Sequence, residues 1–431
     1  MNPSPWRPLL TGPAADRALA IVDEIAAAIR GGLPPSASAF RQGSSLAGGD
    51  AGLALFFSYL DQVRPDQGYD DTAMELLERA IEATAESHSQ PALYGGFSGV
   101  AWTLEHLRGR LFEDAEDEDP GEEVAAALVD HVALSPWRGQ YDLISGLVGF
   151  GVWALERLPY AGGREGLEQV VARLAESAER EGGLATWLTP PELMLDRDLE
   201  AYPHGYYNLG VAHGVPGVIA LLAQACVAGD ARADRDDREA RDLVDGAVTW
   251  LLRQKLPDDA KSVFSYNVAA GVQPGPSRVA WCYGDLGIAA ALLVAAQAVG
   301  NKAWEREALA IARRAAARTT ESAGVMDAGV CHGAAGVAHL FNRIHQATGD
   351  PACLEAALRW FDHVVALHQA GQGVGGFLMW LTRGEGQKLD WLPEAGFLTG
   401  SAGVALALLA AATPVEPEWD RVLLASTRSG S

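Results

Sequence analysis

The chain has 431 residues, 48% of them hydrophobic and 21% charged, a balance typical of a globular protein with a large core. Its net charge of −23 argues against a protein that binds nucleic-acid phosphates or an anionic membrane surface, since both attract basic residues. Four cysteines are too few for a disulfide framework, and the first residues lack the pattern of a signal peptide. The apolar runs are also shorter than a membrane span, so we expect a cytoplasmic protein.

A Gly-x-x-Gly step followed by small and aliphatic residues recurs along the chain at intervals of about 50 or about 70 residues. One such step is expected by chance in a chain with 48 glycines, whereas seven in order indicate a repeated unit of structure. The seven pairs are Gly49/Gly52, Gly96/Gly99, Gly146/Gly149, Gly214/Gly217, Gly284/Gly287, Gly333/Gly336 and Gly400/Gly403.

An amphipathic stretch with helical period precedes each glycine step, and a helix that is apolar on all sides follows it. The run 286–296 is an example of the second kind, as expected for a helix packed on both sides. The last residues, from Ala425, are expected to fray. The amphipathic helices are predicted at about 15–30, 71–87, 121–133, 165–181, 237–254, 303–318 and 353–369.

Each repeat therefore predicts an outer amphipathic helix, a glycine turn and a buried inner helix. Such pairs can stack as an open α-solenoid or close into a double ring. We favour closure, because the inner helices are too apolar to line an open concave surface. The predicted fold is all-α: an α/α toroid of seven inner and seven outer helices that forms a single domain over 1–431.

Three intervals between glycine steps are longer than the others, which places inserts at about 183–207, 256–280 and 371–396. These inserts contain turn residues and short aromatic or β-branched runs. We expect loops and a few short strands there, at one rim of the ring, as a small β-containing extension. Long loops of this kind commonly carry function.

Metal-ligand residues occupy equivalent places in two repeats. Cys282 and Cys331 both lie two residues before the first glycine, and His332 lies one residue before it. Two thiolates and one imidazole, with a fourth position for water or substrate, are the pattern of a catalytic zinc site. The alternative is that these cysteines are small buried core residues, the role we assign to Cys226 and Cys353.

Four further residues are candidates for chemistry. His213 takes the place of His332 in its own repeat and is either an acid or base, a metal ligand or a helix-cap histidine. Asp142 either orients a histidine, acts as a base or caps a helix. Arg278 and Tyr283 flank Cys282 and could stabilise an anion, or are rim residues. The other histidines are expected mostly on helix surfaces or loops, without a role: His88, His106, His131, His204, His339, His345, His363 and His368.

The stretches Asn208–Gly217, Arg278–Gly284 and Cys331–Gly333, together with the seven glycine steps, resemble the lanthionine synthetase C family, the cyclases of class I lanthipeptide (lantibiotic) biosynthesis. The resemblance covers nearly the whole chain and implies an α/α toroid. It also implies one zinc ion held by Cys282, Cys331 and His332. The implied reaction is a Michael-type addition of a peptide cysteine thiol to dehydroalanine or dehydrobutyrine, which forms a (methyl)lanthionine thioether ring.

In this resemblance zinc activates the thiol and His213 protonates the enolate that forms. Asp142 is its orienting partner or a base, and Arg278 and Tyr283 hold the enolate or the substrate. The implied partners are a dehydrated precursor peptide with its leader, a separate dehydratase and a transporter. Two alternatives remain open: a related protein that adds glutathione to dehydroamino acids, and a non-catalytic peptide-binding scaffold with structural zinc.

Overall fold

The computed structural model describes residues 6–32, 43–86, 90–114, 119–228, 235–383 and 388–427. These residues form fifteen α-helices and six short strands. The helices are α1 Pro13–Arg30, α2 Asp50–Asp61, α3 Tyr69–Glu86, α4 Phe97–Leu107, α5 Glu122–Val132, α6 Leu147–Glu156, α7 Gly163–Ser177, α8 Asp196–Leu199, α9 Val215–Ala228, α10 Arg235–Leu252, α11 Asp285–Val299, α12 Lys302–Ala316, α13 Ala334–Thr348, α14 Pro351–Leu367 and α15 Ser401–Ala412.

Seven amphipathic and seven buried helices alternate along the chain, as the sequence predicts, with the short α8 as an addition. The amphipathic helices bury one face: α12 buries Ala308, Ile311 and Ala312 among its fifteen residues but exposes most of the opposite side. The helices after the glycine steps are buried almost throughout, and α11 is buried without a break from Asp285 to Ala296. The all-α class is therefore confirmed. The amphipathic sequences form helices with one buried face, and the sequences that are apolar all round form helices buried on all sides.

The chain divides into two compact units that are each discontinuous in sequence. Unit 1 contains residues 1–119, 318–420 and 428–431, and unit 2 contains residues 120–317 and 421–427. The single domain over 1–431 stays a prediction, and the two units are described in turn.

Unit 1 contains four of the buried helices. Helices α4, α2, α15 and α13 pack in this order, and the amphipathic helices α3 and α14 cover α2 and α13. Helix α1 covers α15, and the indole Nε1 of Trp6 donates to the carbonyl of Ala410 at 2.7 Å. The first and last repeats of the chain are thus neighbours in this unit.

Unit 2 contains the other three buried helices, which pack in the order α6, α9 and α11. The amphipathic helices α7, α10 and α12 cover α6, α9 and α11 respectively, and α5 packs against α7. Each of these buried helices is therefore covered by the amphipathic helix that follows it in the chain, whereas the predicted repeat pairs it with the amphipathic helix that precedes it.

Glycine is required in the steps because the chain folds back on itself before each buried helix. A Cβ atom at Gly99 would lie 1.8 Å from the carbonyl oxygen of Leu93, and one at Gly287 would lie 2.1 Å from that of Trp281. These distances are far shorter than any contact a real Cβ atom makes. The carbonyl six residues upstream takes the room of the missing side chain, which explains why the step recurs.

Backbone hydrogen bonds join the turns of neighbouring repeats at the start of the buried helices. The residue two places before the first glycine donates its N–H to a carbonyl of the next turn, so that the turns lie side by side. In unit 1 these bonds are Cys331 to Leu398 (2.8 Å), Leu398 to Ala47 (2.8 Å) and Ala47 to Tyr94 (2.9 Å). In unit 2, Ala212 donates to Cys282 at 3.4 Å, whereas the donor in the neighbouring turn is Leu143, three places before Gly146, which donates to Ala212 at 3.1 Å.

The strands lie in or next to the three predicted inserts, which confirms the small β elements. All three pairs are antiparallel, and β3 and β4 join the inserts 183–207 and 256–280, with Asn208 opposite Asn267. The pairs are β1 Glu179–Glu181 with β2 Leu184–Thr186, β3 Tyr207–Asn208 with β4 Asn267–Val268, and β5 Met379–Thr382 with β6 Leu389–Leu392.

One expectation from the sequence is wrong, and another, that the remaining histidines lie mostly on surfaces or loops, has two exceptions. The chain does not fray at Ala425, which is fully buried in unit 2, where Trp281 Nε1 also donates to the carbonyl of Leu423 at 2.8 Å. His106 and His339 are not surface residues, since each is 1% exposed or less. A further finding is that no helix in the described ranges is long and apolar enough to cross a membrane.

Candidate functional site

A carboxylate–imidazole pair lies at the start of two neighbouring buried helices of unit 2. Asp142 precedes α6 and His213 precedes α9, and Asp142 Oδ2 lies 2.5 Å from His213 Nδ1. The other carboxylate oxygen accepts the backbone N–H of Ser145 at 2.9 Å. Because both oxygens are engaged, the carboxylate is fixed, and the Nδ1–H of His213 donates to it. The Nε2 atom is then the nitrogen that can exchange a proton with a substrate.

The environment of His213 favours its protonated form. Burial lowers the pKa of His213, but the hydrogen bond and charge of Asp142, with the charge of Cys282, outweigh it and raise the pKa above 6.5. The His213 side chain is 42% exposed and the Asp142 side chain only 5%. A substrate can therefore reach the imidazole while the carboxylate stays covered.

Cys282 and Tyr283 lie in the next turn, before α11. The carbonyl of Cys282 accepts the N–H of Ala212, next to His213. A Cβ atom at Gly210 would lie 2.4 Å from this carbonyl oxygen and 2.7 Å from Cδ1 of Tyr283. Only glycine at 210 permits this close approach of the two turns, which brings the Cys282 thiol and the Tyr283 ring to the side of the histidine.

Tyr283 stacks beside the imidazole. Its ring centroid lies 6.1 Å from that of His213, with 27° between the planes, and 5.6 Å from that of Tyr266. Its hydroxyl accepts a hydrogen bond from Nδ2 of Asn208 at 3.0 Å. Burial is the main cause that raises the pKa of Tyr283 far above 10, so its phenol keeps the proton and can donate it in a hydrogen bond.

Arg278, in the same unit, is separated from Tyr283 by the aromatic ring of Tyr266. Its guanidinium carbon is 6.0 Å from the centroid of the Tyr266 ring, and Tyr266 in turn contacts Tyr283. The side chain is half-buried. The structure thus brings together Asp142, His213 and Tyr283 and places Arg278 beside them through an aromatic ring.

Cys331 and His332 lie in unit 1, in the turn that precedes α13, and both are half-buried. The pKa of Tyr94 is raised mainly by burial, and the negative charge of Cys331 raises it further. Asp327 holds this turn in place: one carboxylate oxygen accepts the N–H of Gly329, and the other accepts the N–H of Trp380, both at 3.0 Å.

Sequence reasoning missed three residues that hold these turns. Asn208 and Asp327 each lie six residues before the first glycine of their step, and each accepts the N–H two residues later. Asp285 follows Gly284 directly, and its carboxylate accepts the N–H groups of Val263 at 2.8 Å and Phe264 at 3.0 Å. Alignment of the steps could have found Asn208 and Asp327, whereas nothing in the sequence indicates the partners of Asp285.

The predicted metal ligands fit zinc by the chemistry of their donor atoms. Cys282 and Cys331 carry thiols that are not in disulfides, and His332 carries an imidazole. Each of the three residues offers one ligand atom of a kind that can bind a metal ion. Two sulfurs and one nitrogen suit zinc better than magnesium or calcium.

Paired helices with a glycine turn before each buried helix define a class of α/α helical-repeat proteins, and this chain carries thiol, imidazole and phenol groups on those turns. The model of the lanthionine synthetase C-like protein family matches residues 41–424, and the chain belongs to this family.

Two known proteins illustrate the relationship. The nisin biosynthesis protein NisC of Lactococcus lactis subsp. lactis is 24% identical over 278 residues, which span 59% of this chain and 62% of that protein, less than two thirds of its length. The solved structure of nisin cyclase superposes with a TM-score of 0.69 at 18% identity, over 95% of this chain and 96% of that one. This likeness shows the fold, and the α/α-toroid class predicted from the sequence is confirmed.

Proposed function

We propose that the protein is a zinc-dependent lanthipeptide cyclase, which adds peptide cysteine thiols to dehydroalanine or dehydrobutyrine to form (methyl)lanthionine rings. The observation that carries this proposal is the Asp142–His213 pair beside Cys282 and Tyr283, in a member of the lanthionine synthetase C-like family. A carboxylate-paired, accessible histidine with a raised pKa supports the role of a general acid.

Cys282, Cys331 and His332 are the proposed ligands of one zinc ion. Zinc bound there would hold a substrate thiol as its thiolate at neutral pH, with water or that sulfur as the fourth ligand. The two thiolate ligands offset the charge of the ion, and this supports delivery of a thiolate over activation of water.

The remaining groups carry the proton and the developing charge. The substrate sulfur bonds to the β-carbon of the dehydro residue, and the electrons of the double bond move towards its carbonyl oxygen. His213 then gives the Nε2 proton to the α-carbon, while the proton lost by the thiol replaces it. One proton leaves and one arrives, so the mass of the peptide does not change.

Asp142 would stabilise the imidazolium through its 2.5 Å contact with Nδ1. Tyr283 would donate a hydrogen bond to the enolate oxygen, since its own pKa is too high for it to ionise at neutral pH. Arg278 would add positive charge near the same oxygen or hold the peptide. The proposal also includes a dehydrated precursor with its leader as substrate, a separate dehydratase, a transporter and a cytoplasmic location.

Ring closure in a dehydrated, cysteine-containing peptide tests the proposal. We expect the zinc-loaded protein to consume free thiol without a change in peptide mass, and the variant Cys282→Ala to lose this activity. Cys226→Ala, a cysteine on α9 that is not a proposed ligand, is the matched control and should stay active. Equal rates for metal-free and zinc-loaded protein would contradict the proposal.

The same assay separates the alternatives. A peptide that gains the mass of one glutathione when glutathione is present, and forms no ring without it, would indicate the intermolecular reaction. Binding of the dehydrated peptide without any loss of thiol would indicate a scaffold.

A further inference from the structure

Asn208 uses both ends of its side-chain amide within the candidate site. The residue is the last of β3 and is 1% exposed. Its Oδ1 accepts the backbone N–H of Gly210 at 2.9 Å, and its Nδ2 donates to the hydroxyl of Tyr283 at 3.0 Å. Neither contact involves a proton that the proposed reaction moves, so Asn208 is not itself a catalytic residue.

The orientation of this amide is determined by Gly210. A backbone N–H can only donate, so the oxygen of the amide must face it, and the NH₂ group must face Tyr283. The hydroxyl of Tyr283 therefore accepts from Asn208, and its single O–H is left to donate in another direction. An aspartate, which offers only acceptors, would instead draw this O–H towards itself.

The backbone around Asn208 is held on both sides, so the amide cannot easily move away. Asn208 pairs with Asn267 across β3 and β4, and Leu209 donates its N–H to the carbonyl of Tyr266 at 3.0 Å. The carbonyl oxygen of Asn208 lies 2.1 Å from where a Cβ atom of Gly214 would be. The same close packing that requires glycine at 214 fixes the residue that contacts Tyr283.

We infer that Asn208 is a positioning residue that fixes the direction in which the Tyr283 hydroxyl donates, so that this hydroxyl is ready for the enolate oxygen of the substrate. The inference rests on the proposed function, because it gives Tyr283 the task of stabilising that oxygen. Asn208 does not touch the reacting atoms and would act on them through Tyr283.

The variant Asn208→Asp tests this role, because it keeps an acceptor for Gly210 but replaces the donor to Tyr283 with an acceptor. We expect kcat for ring closure to fall about 100-fold, the scale for loss of one oxyanion donor, with KM little changed. Tyr283→Phe should cause a similar fall, and the double variant should be no slower than either single variant. A merely structural role would make the two effects multiply.

Asn267→Asp is the matched control. It removes the same kind of hydrogen bond, from Nδ2 to the hydroxyl of Tyr202 at 3.0 Å, on the strand that pairs with β3. We expect kcat to change less than about threefold, because Tyr202 has no part in the proposed reaction. Asn208→Ser serves as a second variant if the buried carboxylate prevents folding, since a serine hydroxyl can still accept the N–H of Gly210.

Side-chain amide exchange gives a readout without turnover. The Nδ2 hydrogens of Asn208 should exchange faster in Tyr283→Phe than in the wild type, and equal rates would overturn the inference. If the wild type closes rings but Asn208→Asp and Asn208→Ser do so equally fast, or their effects multiply with that of Tyr283→Phe, the inference fails and the proposed function stands. If the wild type closes no ring, the proposed function fails first.

Discussion

Asp142 raises the pKa of His213 through its hydrogen bond and its charge, and this gives a test at the scale of single residues. Burial alone would lower the pKa of His213, so the raised value depends on Asp142 and on the charge of Cys282. The variant Asp142→Asn removes one of these charges and should lower the pKa of His213. The acid form would then be lost at a lower pH, and ring closure should decline earlier as the pH rises.

Titration of the His213 ring protons by NMR measures this shift directly, and the pH–rate profile measures its effect on activity. Asp242→Asn, an exposed carboxylate on α10, is the control and should leave both curves in place. An unchanged midpoint in Asp142→Asn would contradict the assignment of Asp142 as the residue that holds the imidazolium.

The position of Asp142 could be singled out from the sequence, but its partner could not. The equivalent places, four residues before the first glycine of a step, are otherwise small and uncharged: Ser45, Ala92, Gly210, Ala280, Gly329 and Gly396. The repeat needs only a small residue at this place for packing, so the carboxylate of Asp142 is an exception that can be recognised from the sequence. Its contact with His213 depends on which turns are neighbours in space, and the sequence allows an N-cap role equally well. Asn208 was missed for a related reason, since its role depends on the orientation of an amide.

The glycine steps give a test at the scale of the helix pair. Gly99→Ala would bring a Cβ atom to within 1.8 Å of the carbonyl oxygen of Leu93 and 2.9 Å of the Cβ of Leu46. Neither the backbone of Leu93 nor the Cβ of Leu46 can move away without a shift of the main chain. We therefore expect the free energy of unfolding to fall by about 1–3 kcal/mol or more. Thermal unfolding of the variant measures this.

Gly43→Ala, in the same unit, is the matched control, because no described residue other than its chain neighbours lies within 4 Å of the added Cβ atom. Its stability should stay within about 0.5 kcal/mol of the wild type. A Gly99→Ala protein that melts at the same temperature as Gly43→Ala would show that the turn can open without cost. Close packing against the upstream carbonyl would then not be the reason why the glycine step recurs.

Asp285 gives a second test at this scale, since it links α11 to the insert 256–280. The variant Asp285→Ala leaves the buried N–H groups of Val263 and Phe264 without their acceptor, at a cost of about 1–3 kcal/mol each. We expect faster amide exchange at 263–264 and a lower melting temperature. Asp259→Ala, an exposed residue of the same insert, should change neither. Unchanged exchange at 263–264 would contradict the anchoring role.

The helices could be predicted closely and the strands only by region. The 3.6-residue period repeats over a dozen or more residues, so the predicted outer helices begin and end within a few residues of those observed. A strand such as β3 has two residues and exists because β4 lies beside it. Pairs of that length leave no periodic pattern in the sequence, and their partners are about 60 residues apart in the chain.

At the scale of the whole molecule, the sequence predicts seven repeats but not how they divide into two units. Unit 1 takes its repeats from both ends of the chain, and the buried helices α2 and α15 are neighbours in it. A repeat pattern counts helix pairs, whereas the compact units depend on how tightly particular pairs pack. The sequence favours closure between the first and last repeats, because the inner helices are apolar. The contact between α2 and α15 agrees with this expectation.

A buried polar network in unit 1 joins the two ends of the chain. Arg343 on α13 donates to Asp420 through Nε at 2.5 Å and Nη2 at 3.0 Å, and its guanidinium lies 4.8 Å from the ring of Trp6. His339 Nε2 lies 2.7 Å from the same carboxylate. The side chains of His339, Arg343 and Asp420 are at most 1% exposed, so the charges in this network depend on one another rather than on solvent.

This network makes the stability of the protein depend on pH through His339. Burial lowers the pKa of His339 below 6.5, so in the folded state it stays neutral at a pH where the unfolded chain already binds a proton. The free energy of unfolding should therefore fall as the pH drops below about 6.5. Burial raises the pKa of Asp420, but Arg343 and His339 outweigh burial and hold this pKa below 3.8. The contribution of Asp420 to the free energy of unfolding is therefore lost only when the pH falls below about 3.8.

The variant His339→Gln keeps a donor for Asp420 but cannot titrate. Urea unfolding at about pH 7.5 and about pH 5 should show a smaller loss of stability for this variant than for the wild type, because the unfolded-state proton uptake at residue 339 is removed. Its stability at the higher pH should be lower, since the stacking of the His339 ring on Trp419 at 4.6 Å is lost. Parallel pH dependences for the two proteins would mean that His339 takes up its proton equally in the folded and unfolded states, and that the network does not keep it neutral.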